Sequence, residues 1–133
     1  APPLTSYRVT SSFGKRRDPI NKKWAAHYGL DMGSPFKSPV YVAAPGVVKF
    51  AGWNGKFGKM IEIDHGAGLK TRFGHLNKIL VKKGQQVNFR DKVGLLGSTG
   101  RSTGAHLHYE VIFKGRSMNP LKFFKAGRYV FQE

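Results

Sequence analysis

At 133 residues, with 40% hydrophobic residues including ten Phe, five Tyr and two Trp, the chain can build one packed domain, which excludes disorder. Its 23 Lys and Arg against 7 Asp and Glu give a formal charge of +16, a field that attracts nucleic acid, acidic lipid or an anionic wall polymer. No Cys is present, so a disulfide framework and thiolate chemistry are excluded.

The basic residues are scattered, and the longest run is Lys15-Arg16-Arg17. That pattern reads as a solvated basic surface with loose electrostatic attraction, and no specific nucleic-acid partner is expected. No apolar stretch approaches the ~18 residues of a membrane span. No signal peptide is visible, and the start at Ala1-Pro2-Pro3 reads as a mature or trimmed fragment of a longer protein, with 1–133 as one domain.

Taken in chain order, short apolar or alternating runs recur at Tyr7–Phe13, Val40–Ala44, Val47–Trp53, Met60–Asp64, Thr71–His75, Val87–Phe89, Val93–Leu96 and His106–Phe113. Each is bounded by Gly, Pro, Asn or Asp, at the roughly 8–12-residue spacing of all-β domains. The stretch from Ile79 to Gly97 alternates short strands with Gly turns in a rhythm that resembles the barrel-sandwich modules of lipoyl and biotinyl carriers. The expected fold is all-β, an antiparallel barrel-sandwich hybrid. A short helical turn is predicted near Pro120–Lys125 with Asn119 as its N-cap, and a last strand at Arg128–Glu133. The loop Trp53–Gly58 is expected either to wall a groove or merely to form a hairpin.

The five His residues carry the chemistry. His106 and His108 form an His-x-His pair, and on a strand residues i and i+2 share a face. Both imidazoles therefore project from one side, with Leu107 and Tyr109 on the other. His27 and Asp31 are four apart, but Gly29, Gly33 and Pro35 argue for a loop or short turn rather than a helix. The pair is not a zincin motif, which needs H-E-x-x-H. Two His and one Asp would leave a fourth zinc position open for water, the mark of a catalytic site. His75 is predicted to end a strand where it can reach a groove, and His65 to be structural.

Together these pieces resemble the lysostaphin/LytM-type zinc endopeptidases that cut peptidoglycan cross-links. The resemblance runs from Ser11-Ser12-Phe13-Gly14 to Met118-Asn119-Pro120. Its H-x-G-x-D motif reads His27-Tyr28-Gly29-Leu30-Asp31, its H-x-H motif His106-Leu107-His108, and its middle blocks Ile63-Asp64-His65-Gly66 and Phe73-Gly74-His75-Leu76. Gly94 to Gly104 also matches the run that precedes the second motif. The resemblance implies one Zn2+ per chain held by His27, Asp31 and His108, with His75 and His106 as catalytic non-ligand histidines. It also implies a substrate groove over the central sheet and an extracytoplasmic location, in the periplasm or at the cell wall.

The zinc would lower the pKa of its water to ~7 and polarise the scissile carbonyl. His106 is then the expected general base, and His75 the group that stabilises the oxyanion or protonates the leaving amine, although the two roles are interchangeable at this stage. Ser12-Phe13-Gly14-Lys15-Arg16-Arg17-Asp18-Pro19 resembles the opening of Gram-negative members, which favours the D-alanyl–diaminopimelate bond of peptidoglycan stem peptides. The alternatives are a glycyl-glycine endopeptidase of the same family, or a non-catalytic wall-binding or activator domain. A regulatory domain or protein occluding the groove is a further expected partner. A phosphocarrier reading rests on architecture alone, and fold does not fix function.

Overall fold

The computed structural model describes residues 2–17, 24–100, 102 and 104–124. The expected strand at Arg128–Glu133, the turn at Asp18-Pro19 and Lys125 lie outside the described residues.

The described residues form twelve strands: β1 Arg8–Ser11, β2 Gly14–Arg17, β3 Trp24–His27, β4 Leu30–Gly33, β5 Pro39–Tyr41, β6 Gly46–Trp53, β7 Lys59–Gly66, β8 Leu69–Ile79, β9 Gln86–Val87, β10 Lys92–Leu96, β11 His106–Phe113 and β12 Arg116–Met118. The main sheet runs β1-β4-β11-β8-β7-β6-β9, with β10 bridging β8 to β5 and β12 added to β11. Strands β2 and β3 form a separate antiparallel ribbon that pairs Gly14 with His27. Every pairing is antiparallel, and the all-β expectation is met.

Each predicted run overlaps a strand, although Val40–Ala44 does so only at Val40-Tyr41 and Val87–Phe89 only at Val87. The sequence reading missed β2, β3, β4 and β12, each only three or four residues long. The turn predicted near Pro120 is helical over 120–124. Asn119 caps it, its side-chain oxygen accepting from the Leu121 amide at 3.1 Å.

Alternation sets which face is the core. Leu30 and Met32, Phe73, Ile61 and Ile63, and Leu107, Tyr109 and Val111 are almost wholly buried on one face. Burying one large aliphatic side chain is worth about 1.5–3 kcal/mol, and a one-residue slip would turn all of them to solvent. Register is thereby fixed, and so is the identity of the opposite face. There Asp31 stands beside His108 and His108 beside Gly74, while Glu110 stands beside Arg72 and Arg72 beside Glu62.

Strand β8 changes partners midway. Its first half pairs with β11 up to Gly74, and its second half pairs with β10 from Leu76. Phe73 and Leu76 are both fully buried although three apart, so a β-bulge lies between them, and the β7 register shifts at the same point. His75 sits in this bulge with a φ of 62°. The strand does not end at His75, as the sequence reading expected, but continues to Ile79. Bulges re-aim side chains next to functional sites, and here the extra residue turns His75 toward the face that carries His106 and His108.

Candidate metal and catalytic site

His27 closes β3 and Asp31 lies in β4, so the motif His27-Tyr28-Gly29-Leu30-Asp31 joins two strand ends across Tyr28-Gly29. It is not a helix; the sequence reading expected a loop or short turn, and the connection is a two-residue turn between strands. Gly29 has a steric reason to be glycine. A Cβ there would stand 2.7 Å from His108 Cε1 and 2.8 Å from the Tyr109 carbonyl oxygen, so any side chain would push the His108 ring away.

One ligand atom from each of His27, Asp31 and His108 lies within 4.8 Å of the others. Their side chains are only 14%, 18% and 12% exposed. The hydrogen bonds select the nitrogens that face inward. His27 Nδ1–H donates to the Ser12 carbonyl at 2.8 Å, which leaves Nε2 for a metal, 3.3 Å from Asp31 Oδ2. His108 Nε2–H donates to Glu110 Oε2 at 2.9 Å, and Nδ1 faces Asp31 Oδ1 at 2.7 Å. A histidine whose second nitrogen is tied to a carboxylate or carbonyl is the usual arrangement around a bound metal. Two imidazole nitrogens and one carboxylate oxygen suit zinc with an open fourth position.

Electrostatics agree with that reading. Burial opposes charge on His108, yet the hydrogen bonds from its ring to Asp31 and Glu110 override it and raise the pKa to about 9. Burial would likewise raise Asp31, but hydrogen bonds from His108 and His27 hold it well below the usual carboxylate range. In the metal-free state a proton on His108 Nδ1 thus occupies the position a cation would take.

Two further histidines stand beside this cluster. The His75 and His106 rings are 4.9 Å apart edge to face, and His75 is 6.0 Å from His108. His75 Nδ1–H donates to the Thr99 carbonyl at 2.8 Å, and His106 Nδ1–H to the Gly104 carbonyl at 3.0 Å. A carbonyl can only accept, so each neutral ring carries its proton on Nδ1 and a lone pair on Nε2. Burial, above all, lowers the pKa of His75, despite its bond to Thr99.

All five residues expected at the site are therefore brought together. His65 lies elsewhere, its Nδ1–H donating to the Pro45 carbonyl and its Nε2 accepting from the Thr71 hydroxyl, which matches the structural role read for it. The Trp53–Gly58 loop is both a hairpin and a wall. Its 3-10 turn at Gly55–Phe57 places the Phe57 ring 5.6 Å from His108, and Gly74 leaves room, since a Cβ there would meet Phe57 at 3.2 Å.

Glu110 was missed by the sequence reading. It is 6% exposed, and it links His108 to Arg72, whose Nη1 donates to Glu110 Oε1 at 3.3 Å and whose Nε donates to Glu62 Oε1 at 2.7 Å. The signal was present as His106-x-His108-x-Glu110, a third polar residue on the same strand face.

Comparisons with known proteins agree with the geometry. The chain is 44% identical over 119 residues to the peptidoglycan DD-endopeptidase ShyA of Vibrio cholerae, covering 89% of this chain and 28% of that protein. It thus spans less than a third of that relative's length. It is similar in structure to a zinc-containing peptidase from Vibrio cholerae, with a TM-score of 0.84, 40% identity and coverage of 89% of this chain and 37% of that one. The catalytic domain of the antimicrobial peptidase lysostaphin from Staphylococcus simulans superposes with a TM-score of 0.79 at 30% identity, covering 90% of this chain and 92% of that one. The model of Peptidase family M23 matches residues 25–120, and the chain belongs to that family.

Proposed function

We propose that this domain is a zinc metallo-endopeptidase that hydrolyses peptide cross-links of bacterial peptidoglycan outside the cytoplasm, the D-alanyl–diaminopimelate bond in particular. The observation that carries the proposal is the convergence of His27, Asp31 and His108 within 4.8 Å, with the His75–His106 pair beside them. The DD-endopeptidase relative supports the choice of bond, and the zinc-containing neighbour supports the choice of metal.

His27 Nε2, Asp31 and His108 Nδ1 would hold one zinc ion. When bound, it supplies a water of lowered pKa and a Lewis acid for the scissile carbonyl. The remaining work falls to the protein. His106 presents an Nε2 lone pair to the groove, fixed by the Gly104 carbonyl behind it, and accepts the water proton as general base. The imidazolium so formed returns that proton to the leaving amine. His75 was expected to stabilise the oxyanion or protonate the leaving amine, its role and that of His106 being interchangeable. Its neutral, Nδ1-protonated ring offers only a lone pair, so it acts as a second proton acceptor on the same side of the groove.

The first test is bound zinc by elemental analysis together with sacculus digestion, for wild type and His108→Ala. One zinc per chain and muropeptide release, both lost in the variant, are expected. A wild type that resists zinc reconstitution and releases nothing would leave only a wall-binding role. Comparing pH–rate profiles of His75→Ala and His106→Ala separates the two histidines, and full activity in either variant removes that residue from the mechanism.

A further inference from the structure

Strand β1 lines the groove edge beside the catalytic pair. The pairing runs Arg8 to Gly33 and Gly33 to His106, so the three positions form one rung across β1, β4 and β11. Gly33 has no side chain, and Arg8 uses the space. The guanidinium carbon of Arg8 lies 3.3 Å from where a Cβ on Gly33 would stand, with Thr10 Cγ2 at 3.1 Å. Adjacent strands are ~4.8 Å apart, and directly opposed Cβ positions ~4.5–5.5 Å. The guanidinium is therefore folded back over β4, the strand between β1 and His106.

Among the described residues Arg8 donates to no side chain or carbonyl and pairs with no carboxylate. It opens onto a surface cleft of about 440 Å³ lined also by Ser6, Tyr7, Gly33, Ser34 and Pro35. Among the described residues no Asp or Glu lines this cleft. Arg72, the groove-face arginine at the other end of the site, is instead neutralised by Glu62 and Glu110. One guanidinium is thus built into the fold, and the other has no partner among the described residues.

We infer that Arg8 is a specificity-determining residue that binds a substrate carboxylate lying one residue or less from the scissile bond. Guanidinium and carboxylate match as a planar, bidentate pair. In a D-alanyl–diaminopimelate cross-link, the carbon that bears the scissile nitrogen also bears a free carboxylate. Arg8 stands one i, i+2 step, roughly 6.5–7 Å, from the Asp31–His108 rung; that carboxylate lies roughly 3–4 Å from the scissile carbonyl carbon, and a guanidinium paired with it spans the remaining distance. A glycine bridge has no such group, so the same residue discriminates between the two chemistries found in this family. The inference rests on the peptidase reading proposed above.

The test uses the zinc-loaded protein, two cross-linked muropeptide dimers that differ only in whether this carboxylate is free or amidated, and the variants Arg8→Gln and Arg8→Lys. Charged hydrogen bonds of this kind are worth about 10–100-fold in affinity. The wild type is expected to lose about 10–100-fold in kcat/KM on the amidated dimer, mostly through KM. Arg8→Gln should cut both dimers equally, at the wild type's amidated rate, with zinc content and melting temperature unchanged, and Arg8→Lys should recover part of the preference. A preference for the free carboxylate that persists undiminished in Arg8→Gln overturns the assignment, as does a wild type indifferent to amidation. Failure of the peptidase reading looks different: a zinc-loaded wild type that cleaves neither dimer overturns both.

Discussion

Glu110→Gln is the sharpest probe of how the metal cluster is held. The carboxylate uses both oxygens, Oε1 toward Arg72 at 3.3 Å and Oε2 toward His108 Nε2–H at 2.9 Å. Both neighbours are donors. An amide has one oxygen, so its NH2 end must face either Arg72 or His108, donor against donor. The milder choice keeps the oxygen on His108 and leaves Arg72 to Glu62, but the bond to His108 is then neutral and roughly half as strong. Loss of such a partner weakens metal binding about 10–100-fold, or ~1.4–2.8 kcal/mol. The assay is a zinc titration in competition with a chromophoric chelator, with a thermal melt of the metal-free protein as control. Glu62→Gln provides the gradient. Its partner Arg72 has a side chain 36% exposed, and half-exposed pairs contribute ~1 kcal/mol or less, so a change of a few-fold at most is expected. If Glu110→Gln binds zinc within twofold of wild type, the positioning argument is wrong.

Two further predictions follow from the same cluster. Gly29→Ala places a methyl group 2.7–2.8 Å from the His108 ring and the Tyr109 carbonyl, so the ring must move. Zinc affinity should fall by at least tenfold while the core-burial signal in a denaturant melt is retained, and unchanged affinity would show that the close approach is not what selects glycine. The pH dependence of the metal-free protein has two limbs. His108, raised from 6.5 to about 9, contributes stability that is complete below pH ~6.5 and is lost as pH rises through about 9. Asp31, depressed from 3.8, contributes stability present above that value and lost as pH falls below it. Denaturant melts after chelation should therefore be flattest between these limits. Zinc competes with the His108 proton, so its affinity should rise about tenfold per pH unit below pH 9, and pH-independent affinity between pH 6 and 8 would contradict the proton's place on Nδ1.

How much of this was legible in the sequence depends on the physical range of each signal. The inward-facing row Leu107, Tyr109 and Val111 is a strict alternation inside one strand, so both faces of β11 could be read directly, and with them the shared side of His106 and His108. The position of His27 next to Asp31 could not. It depends on the β3 end meeting β4 across Tyr28-Gly29, and both strands are four residues long. In such short segments the glycines dominate the local signal, so the sequence read as a turn. The bulge at His75 was hidden for a related reason. A period-2 pattern through Thr71 and Phe73 predicts a core-facing residue 75, and only the place of Leu76 in the hydrophobic core reveals the extra residue.

Glu110 exposes a different limit, because its role lies in the sheet order and not along the chain. Read along β11 it is a polar residue on the groove face. Read across the sheet it is the middle of a row that runs from His108 through Arg72 to Glu62, joined at 2.9, 3.3 and 2.7 Å. That row explains a feature the composition makes odd. In a chain with 23 basic and 7 acidic residues, three of the acidic ones, Asp31, Glu62 and Glu110, stand on the face that carries the histidines. A carboxylate beside a buried histidine fixes the ring for a cation. Arg72 holds the Glu110 carboxylate by a hydrogen bond at 3.3 Å without touching the ligands, while Arg8, on the same face and the same rung as His106, has no carboxylate partner among the described residues. The fold thus gives Arg72 and Arg8 opposite tasks through nothing more than strand register, and a register slip in β1 would remove Arg8 from the groove while leaving the metal cluster intact.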